Sequence, residues 1–414
     1  MGEILVNLNA LVYLYTCFRI VKRYGLFNPG AIIFEFITLT ALLAIPAYKV
    51  LAKDYFFSRY DFSNVTFLPF VYLFVLNLLI IKPLFNVPKA ITTHNINYSF
   101  KFIRNFSYLY IVCALISIYL NYKLLITSYL GVEWNEIRNM QYEGEALMAY
   151  NNIFERFFLS FTAHLRLVAC ISFMLFFLFH RDKVKTSFLV MLLISIIIPM
   201  FMDAMRTASR GMLITILFQF AFLIGFFYKY INKKKLKQIC IVVGLFMFFA
   251  YGYSMAVTAS RFGETSGNES ALISYWGQPQ IIFNSAISGI DNCWFGKYSF
   301  GNLFAMLDLP TSYSDRELGT RFLPCFTTIV GNLYTDFHFI GPLLFAGLIF
   351  FITKKIFKKN SFTIGDIVVL YFICLELQHG ALVMRYSFLW DTNILIITLL
   401  YIFFNKYSVQ KSIL

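Results

Sequence analysis

Arg181-Asp-Lys-Val-Lys-Thr-Ser-Phe-Leu-Val-Met-Leu-Leu-Ile-Ser-Ile-Ile-Ile-Pro-Met-Phe-Met-Asp203 decides the class of this protein. From Thr186 to Met202 the run carries no charge, and at ~1.5 Å per helical residue it approaches the ~30 Å of a bilayer's hydrocarbon core. Lipid offers backbone amides no hydrogen-bonding partner, so a run of this kind crosses as a helix. Three of the four charges at its start are basic and its end is acidic, a polarity that orients it in the membrane. The fold follows from how often this pattern recurs.

It recurs along the whole chain. Apolar stretches fall at 3–20, 29–51, 64–82, 106–126, 157–179, 186–204, 211–228, 237–256, 332–353, 363–381 and 386–404. At ~20 residues per crossing they predict an all-α polytopic membrane protein of about eleven transmembrane helices. Composition agrees: 59% of the 414 residues are apolar and only 14% charged, too few charges to coat soluble domains. The chain therefore reads as a single transmembrane domain over 1–414. The N-terminus has no basic region or small-residue cleavage site, and reads as a first span and not as a removable signal.

The charges sort by side. One alternating set of connectors holds Arg19, Lys22 and Arg23; Lys82, Lys89, Lys101 and Arg104; Arg181, Lys183 and Lys185; and Lys229 with Lys233–Lys235 and Lys237. It continues with Lys354, Lys355, Lys358 and Lys359, then Lys406 and Lys411, and its only acids are Asp182 and Asp366. Nearly all other carboxylates fall in the opposite set. This predicts a multi-pass protein of a bacterial inner membrane, with the N-terminus outside and the C-terminus inside. Two external segments are long, 121–156 and 257–331, and the second is rich in Gly, Ser, Asn and aromatic residues.

Several functions are disfavoured. The net charge of +14 is dispersed in short connectors and forms no soluble basic face, so nucleic acid is not an expected partner. The inner face lacks a D-x-D pair and a Gly-rich phosphate loop, which argues against nucleotide chemistry there. No C-x-x-C occurs, and neither a metal nor a cofactor is expected. Cys17, Cys113, Cys170, Cys240 and Cys374 lie in apolar stretches, while Cys293 and Cys325 share an external segment where a disulfide could form.

Chemistry is expected outside. Asp203-Ala-Met-Arg206-Thr-Ala-Ser-Arg210-Gly211 is a short external connector whose Thr207 or Ser209 can cap the following span. A helix N-terminus with two guanidiniums describes an anion site, although arginines at a helix end also snorkel to lipid phosphates. Arg261, Arg316, Arg321 and Arg385 face the same compartment; Arg261 and Arg321 are the favoured partners of a polyanionic lipid. Arg166 and His164 lie within an apolar stretch, where charge costs ~2.5–3.5 kcal/mol or more. Glu35, Glu376 and Asp391 are the acids available to pair with them. Asp203, Glu264, Asp291, Asp315, Asp336, His338 and His379 are the acid–base candidates. Asp336-Phe337-His338 is the most pointed, since His titrates in the useful range.

Laid out this way, the chain resembles the Wzy-type O-antigen polymerases, which polymerise oligosaccharide repeat units. The resemblance rests on Arg206-Thr-Ala-Ser-Arg210-Gly211, on Ser260-Arg261 with Tyr275-Trp-Gly-Gln-Pro-Gln-Ile-Ile-Phe-Asn284, and on Tyr334-Thr-Asp336-Phe-His-Phe-Ile-Gly341-Pro. The last is similar to the family's Asp-Phe-Gly-x-x-Gly pattern, with His338 in place of the first glycine. An Arg-x10-Gly arrangement is not matched, because Arg321 precedes Gly331 by one residue too few, and many members have an even number of spans.

The resemblance implies a GT-C-like bundle and a membrane glycosyltransferase acting on undecaprenyl-diphosphate-linked oligosaccharides. Asp336, His338 and Asp203 become catalytic candidates, and Arg206, Arg210, Arg261 and Arg321 candidate diphosphate ligands. A polysaccharide chain-length regulator is an implied partner beside the lipid bilayer. The alternatives are an O-antigen ligase, which shares the donor, and a lipid-linked oligosaccharide flippase or other transporter, whose usual internal repeat is not seen here.

Overall fold

Asn28-Pro29-Gly30 shows how this sequence turns between membrane helices. In the computed structural model the first helix, α1 (Gly2–Tyr24), stops at Gly25, whose φ of 88° is open to glycine. Asn28 then caps α2 (Pro29–Leu51), accepting from the Gly30 amide at 3.0 Å and donating to the Phe85 carbonyl at 2.9 Å. Pro29 occupies the first helical position, where no amide hydrogen is needed. Gly30 leaves room for the Phe85 ring, which a Cβ would meet at 2.6 Å.

The structure describes residues 1–51, 65–93, 95–128, 136, 153–206, 210–262, 268–287, 328–382 and 390–407, with single positions between 293 and 307. The other helices are α3 (Phe67–Ile81), α4 (Val87–Thr93), α5 (Phe100–Ser128), α6 (Ile153–Phe179), α7 (Thr186–Arg206) and α8 (Arg210–Phe227). They continue with α9 (Lys233–Phe262), α10 (Asn268–Ile287), α11 (Thr328–Phe337), α12 (Ile340–Phe357), α13 (Ile364–His379) and α14 (Trp390–Tyr407). The strand content among described residues is one parallel pair, β1 (Asn95–Ile96) with β2 (Ser361–Phe362). The chain is thus an all-α membrane protein. Among the described residues seven helices are long and apolar enough to cross a bilayer, and Ile214–Tyr230 and Asn393–Tyr407 are shorter apolar helices.

The residues divide into two compact units. The first comprises Met1–Ala90, Glu269–Asn360 and Phe372–Leu399. There α1 packs along α2, and α12 against α3 and α11. Its interior is tied by polar side chains that lipid could not satisfy. Gln280 of α10 accepts from the Asn9 amide of α1 at 2.7 Å, and donates to the Ile37 carbonyl at 3.2 Å and the Thr40 hydroxyl at 3.1 Å. One turn on, Asn284 accepts from the Thr66 amide at 2.9 Å and donates to its carbonyl at 2.8 Å. Interhelical hydrogen bonds of this type average ~0.6 kcal/mol, and they fix register more than they add stability.

The second unit comprises Ile91–Asn268, Ser361–Tyr371 and Leu400–Leu414. Here α5, α6 and α7 pack on one another, α8 lies on α7, and α9 on α8. Thr363 and Asp366 cap α13 reciprocally: Thr363 donates its amide to Asp366 Oδ2 at 2.9 Å, and the Asp366 amide reaches Thr363 Oγ1 at 3.2 Å. Asp366, read above as one of two acids among the basic connectors, thus has a structural role. The Tyr98 hydroxyl meets His180 Nε2 at 2.7 Å. Burial pushes Tyr98 up to about 12 and, with Lys183 nearby, holds His180 below its ordinary value.

Two sequence expectations change. The stretch 257–331, expected to be one long connector, holds the end of α9 and all of α10. Gly277, Gln278, Pro279, Gln280 and Asn284 dilute the apolar signal of α10, yet Ile281, Ile282 and Phe283 are at most 1% exposed. The span expected over 332–353 is broken: α11 ends at Phe337 and α12 begins at Ile340.

Candidate functional site

Helix α11 is too short to cross a membrane, and eight of its residues are buried, from Thr328 through Leu333 with Thr335 and Asp336. A partial helix at membrane depth is tolerated when protein surrounds it. Its start is fixed by α13, since the Ile329 amide donates to the Gly380 carbonyl at 2.7 Å. That approach needs glycine, because a Cβ on Gly380 would lie 2.8 Å from Ile329 Cβ. Thr328, at φ 67°, turns its hydroxyl toward the Gly331 amide at 3.4 Å.

The far end carries the Asp-Phe-His motif. Asp336 is 0% exposed, and its carbonyl accepts from the Phe295 amide at 2.9 Å. His338 sits in the break with φ 49°, its half-buried ring 5.4 Å from that of Tyr334. A left-handed φ favours glycine, with His among the more tolerant side chains. Gly341 follows in α12, where a Cβ would lie 2.5 Å from the Leu333 carbonyl oxygen and 2.8 Å from Phe337 Cβ. Both glycines of an Asp-Phe-Gly-x-x-Gly pattern therefore have a geometric reason here, the first for its torsion and the second for space. His338 takes the strained place.

The break frees a carbonyl at Phe339, and the Tyr72 hydroxyl of α3 donates to it at 2.9 Å. Leu68, Pro69, Tyr72, Ile287, Tyr334 and Phe339 line a hollow of about 300 Å³ beside the turn. Tyr72 also stacks on Phe283, at 6.5 Å between ring centres. Removing this hydroxyl by Tyr72→Phe is expected to cost about 1 kcal/mol. The loss would register as a lower midpoint in thermal melting of the detergent-solubilised chain.

The remaining candidates lie elsewhere. Asp203 is half-buried in the last turn of α7, in the second unit, while Asp336 and His338 belong to the first. Arg206 ends α7 and Arg210 begins α8. The side chains of Arg206, Arg210 and Arg261 lie outside the described set, as do Thr207, Ser209, Arg316, Arg321 and Arg385 altogether. Arg261 falls in the last turn of α9. The Cys293–Cys325 pairing rests on Cys325, also outside the described residues. His379 lies at the end of α13, its Nδ1 2.9 Å from the Leu375 carbonyl. The polar face of α10 was not among the sequence candidates; its signal is the i, i+4 spacing of Gln280 and Asn284.

Comparison of the chain with protein-family models, with curated proteins and with solved structures gives no match.

Proposed function

We propose that this protein polymerises undecaprenyl-diphosphate-linked oligosaccharide repeat units into O-antigen or a related surface polysaccharide. It does so on the periplasmic face of a bacterial inner membrane, as a GT-C-like bundle of about eleven spans with its N-terminus out and C-terminus in. The segregation of lysine and arginine into alternate connectors supports that orientation.

In the proposed step an acceptor sugar hydroxyl loses its proton to a base and attacks the anomeric carbon of the growing glycan. The bond from that carbon to the diphosphate oxygen breaks, and undecaprenyl diphosphate departs. Asp336, His338 and Asp203 are the candidate bases. Arg206, Arg210, Arg261 and Arg321 are the candidates for steadying the leaving diphosphate. The observation that carries the reading is the helix break at His338–Phe339. It holds a fully buried Asp336, a left-handed His338 and an indispensable Gly341 in the spacing of the resembled motif, beside a hollow of about 300 Å³.

The test is a deletion strain complemented with wild type, Asp336→Asn or Arg210→Ala, with surface polysaccharide resolved on a gel. Loss of a general base is expected to slow transfer about 10²- to 10⁴-fold, collapsing the ladder to a core carrying one repeat unit. Absence of even that single unit would point to ligation or flipping, and an unchanged ladder in both well-expressed variants would remove these residues from the site.

A further inference from the structure

A charge in the middle of a membrane helix calls for a counter-charge, water or a ligand. Arg166 lies within the apolar stretch Phe157–Phe179 of α6, roughly 13 Å along the axis from Phe157. Its Nε is enclosed and has no hydrogen-bond partner. Arg166 is half-buried, and Cys170, one turn on along the same helix, is 0% exposed. Among the described residues the ion pair is Lys49 with Glu3 at 2.9 Å, and Arg166 has none.

A second observation on the same face points to a ligand. Thr162, one turn earlier, is 2% exposed, and its hydroxyl also has no partner. A threonine or serine in a helix ordinarily donates to the carbonyl four residues back, as Ser172 does to Val168 at 2.7 Å. His164, by contrast, is satisfied locally, its Nδ1 2.6 Å from the Ser160 carbonyl. Helix α6 thus presents a half-buried arginine with an enclosed Nε and an enclosed threonine hydroxyl, four residues apart, and neither atom has a hydrogen-bond partner.

We propose that Arg166 and Thr162 form a binding site for a phosphate-class oxyanion inside the second unit. Charge favours an anion. A planar donor fork with a neighbouring hydroxyl suits the oxygens of a phosphate or diphosphate, whether it enters free or as a lipid headgroup. The site stands apart from the glycosyl-transfer reading, since occupancy is measured without turnover.

The experiment is thermal melting of the purified full chain in detergent with sodium pyrophosphate, with undecaprenyl phosphate, and with neutral undecaprenol. The wild-type midpoint is expected to rise with at least one phosphate probe and not with undecaprenol. A response to pyrophosphate assigns the site to free oxyanions, and a response to undecaprenyl phosphate alone assigns it to a lipid headgroup. Arg166→Gln is expected to weaken the apparent affinity about tenfold or more while leaving the ligand-free midpoint equal or higher. No shift with either phosphate, or the same shift in Arg166→Gln, overturns the proposal. Should that variant fail to fold, Arg166→Lys and Thr162→Val provide the reading: several-fold weaker binding in both is expected, and unchanged binding in both overturns it.

Discussion

Gly277→Ala is expected to destabilise the protein by about 3 kcal/mol, the upper end of what a single overpacked methyl does. A Cβ at this position would lie 2.2 Å from the Leu43 carbonyl oxygen, 2.5 Å from its carbon and 2.6 Å from Ala47 Cβ. Two of these atoms are backbone, so no rotamer relieves the contact and α10 must move off α2. Gln280, three residues on, would then lose its hold on Ile37, Thr40 and Asn9, interhelical bonds of about 0.6 kcal/mol each. Gly244→Ala in α9 is the control. Its Cβ meets nothing within 4 Å, so the change is expected to be neutral or to stabilise by up to ~1 kcal/mol. Melting midpoints of the two variants in the same detergent decide the matter, and equal midpoints would mean that α10 does not pack on α2 as described.

The same pair of glycines shows where the sequence was readable. Continuous apolar runs such as Thr186–Met205 declare themselves, because lipid imposes length and charge exclusion on each helix separately. Caps are legible for the same local reason: Asn28-Pro29 and Thr363-x-x-Asp366 need only their own neighbours. Helix α10 is different. Its Gln280 and Asn284 read as loop residues because their partners, Asn9 and Thr66, lie 271 and 218 residues away in sequence. A polar side chain satisfied by distant helices leaves no trace in a hydropathy window.

The candidate site was legible in its residue types but not in its backbone. Asp336 and His338 stand out as titratable groups in an apolar context. Gly341-Pro342 is a local signal for a helix start, but Phe337, Phe339 and Ile340 keep the stretch apolar enough to read as one span. Tertiary packing completes the break, with the Tyr72 hydroxyl of α3 donating to the freed Phe339 carbonyl. The external arginines are the reverse case, conspicuous in sequence and contributing no side-chain geometry to the described residues.

That break makes the second large prediction one of opposite signs at positions three residues apart. Gly341→Ala is expected to destabilise by about 2–3 kcal/mol, because its Cβ would sit 2.5 Å from the Leu333 carbonyl oxygen and must wedge α11 from α12. Opening that turn moves Asp336, so the surface-polysaccharide ladder should be lost as well. His338→Gly is expected to stabilise by about 1 kcal/mol, as the left-handed φ of 49° no longer carries a side chain. It gives up only the ring contact with Tyr334. The resembled motif has glycine at this place, so the ladder should survive His338→Gly while failing in Asp336→Asn. Melting and ladder assays on the three variants separate the roles. A lost ladder with a raised midpoint in His338→Gly would transfer the proton-accepting role to His338. A lowered midpoint would mean that the histidine ring, and not the torsion, governs the turn.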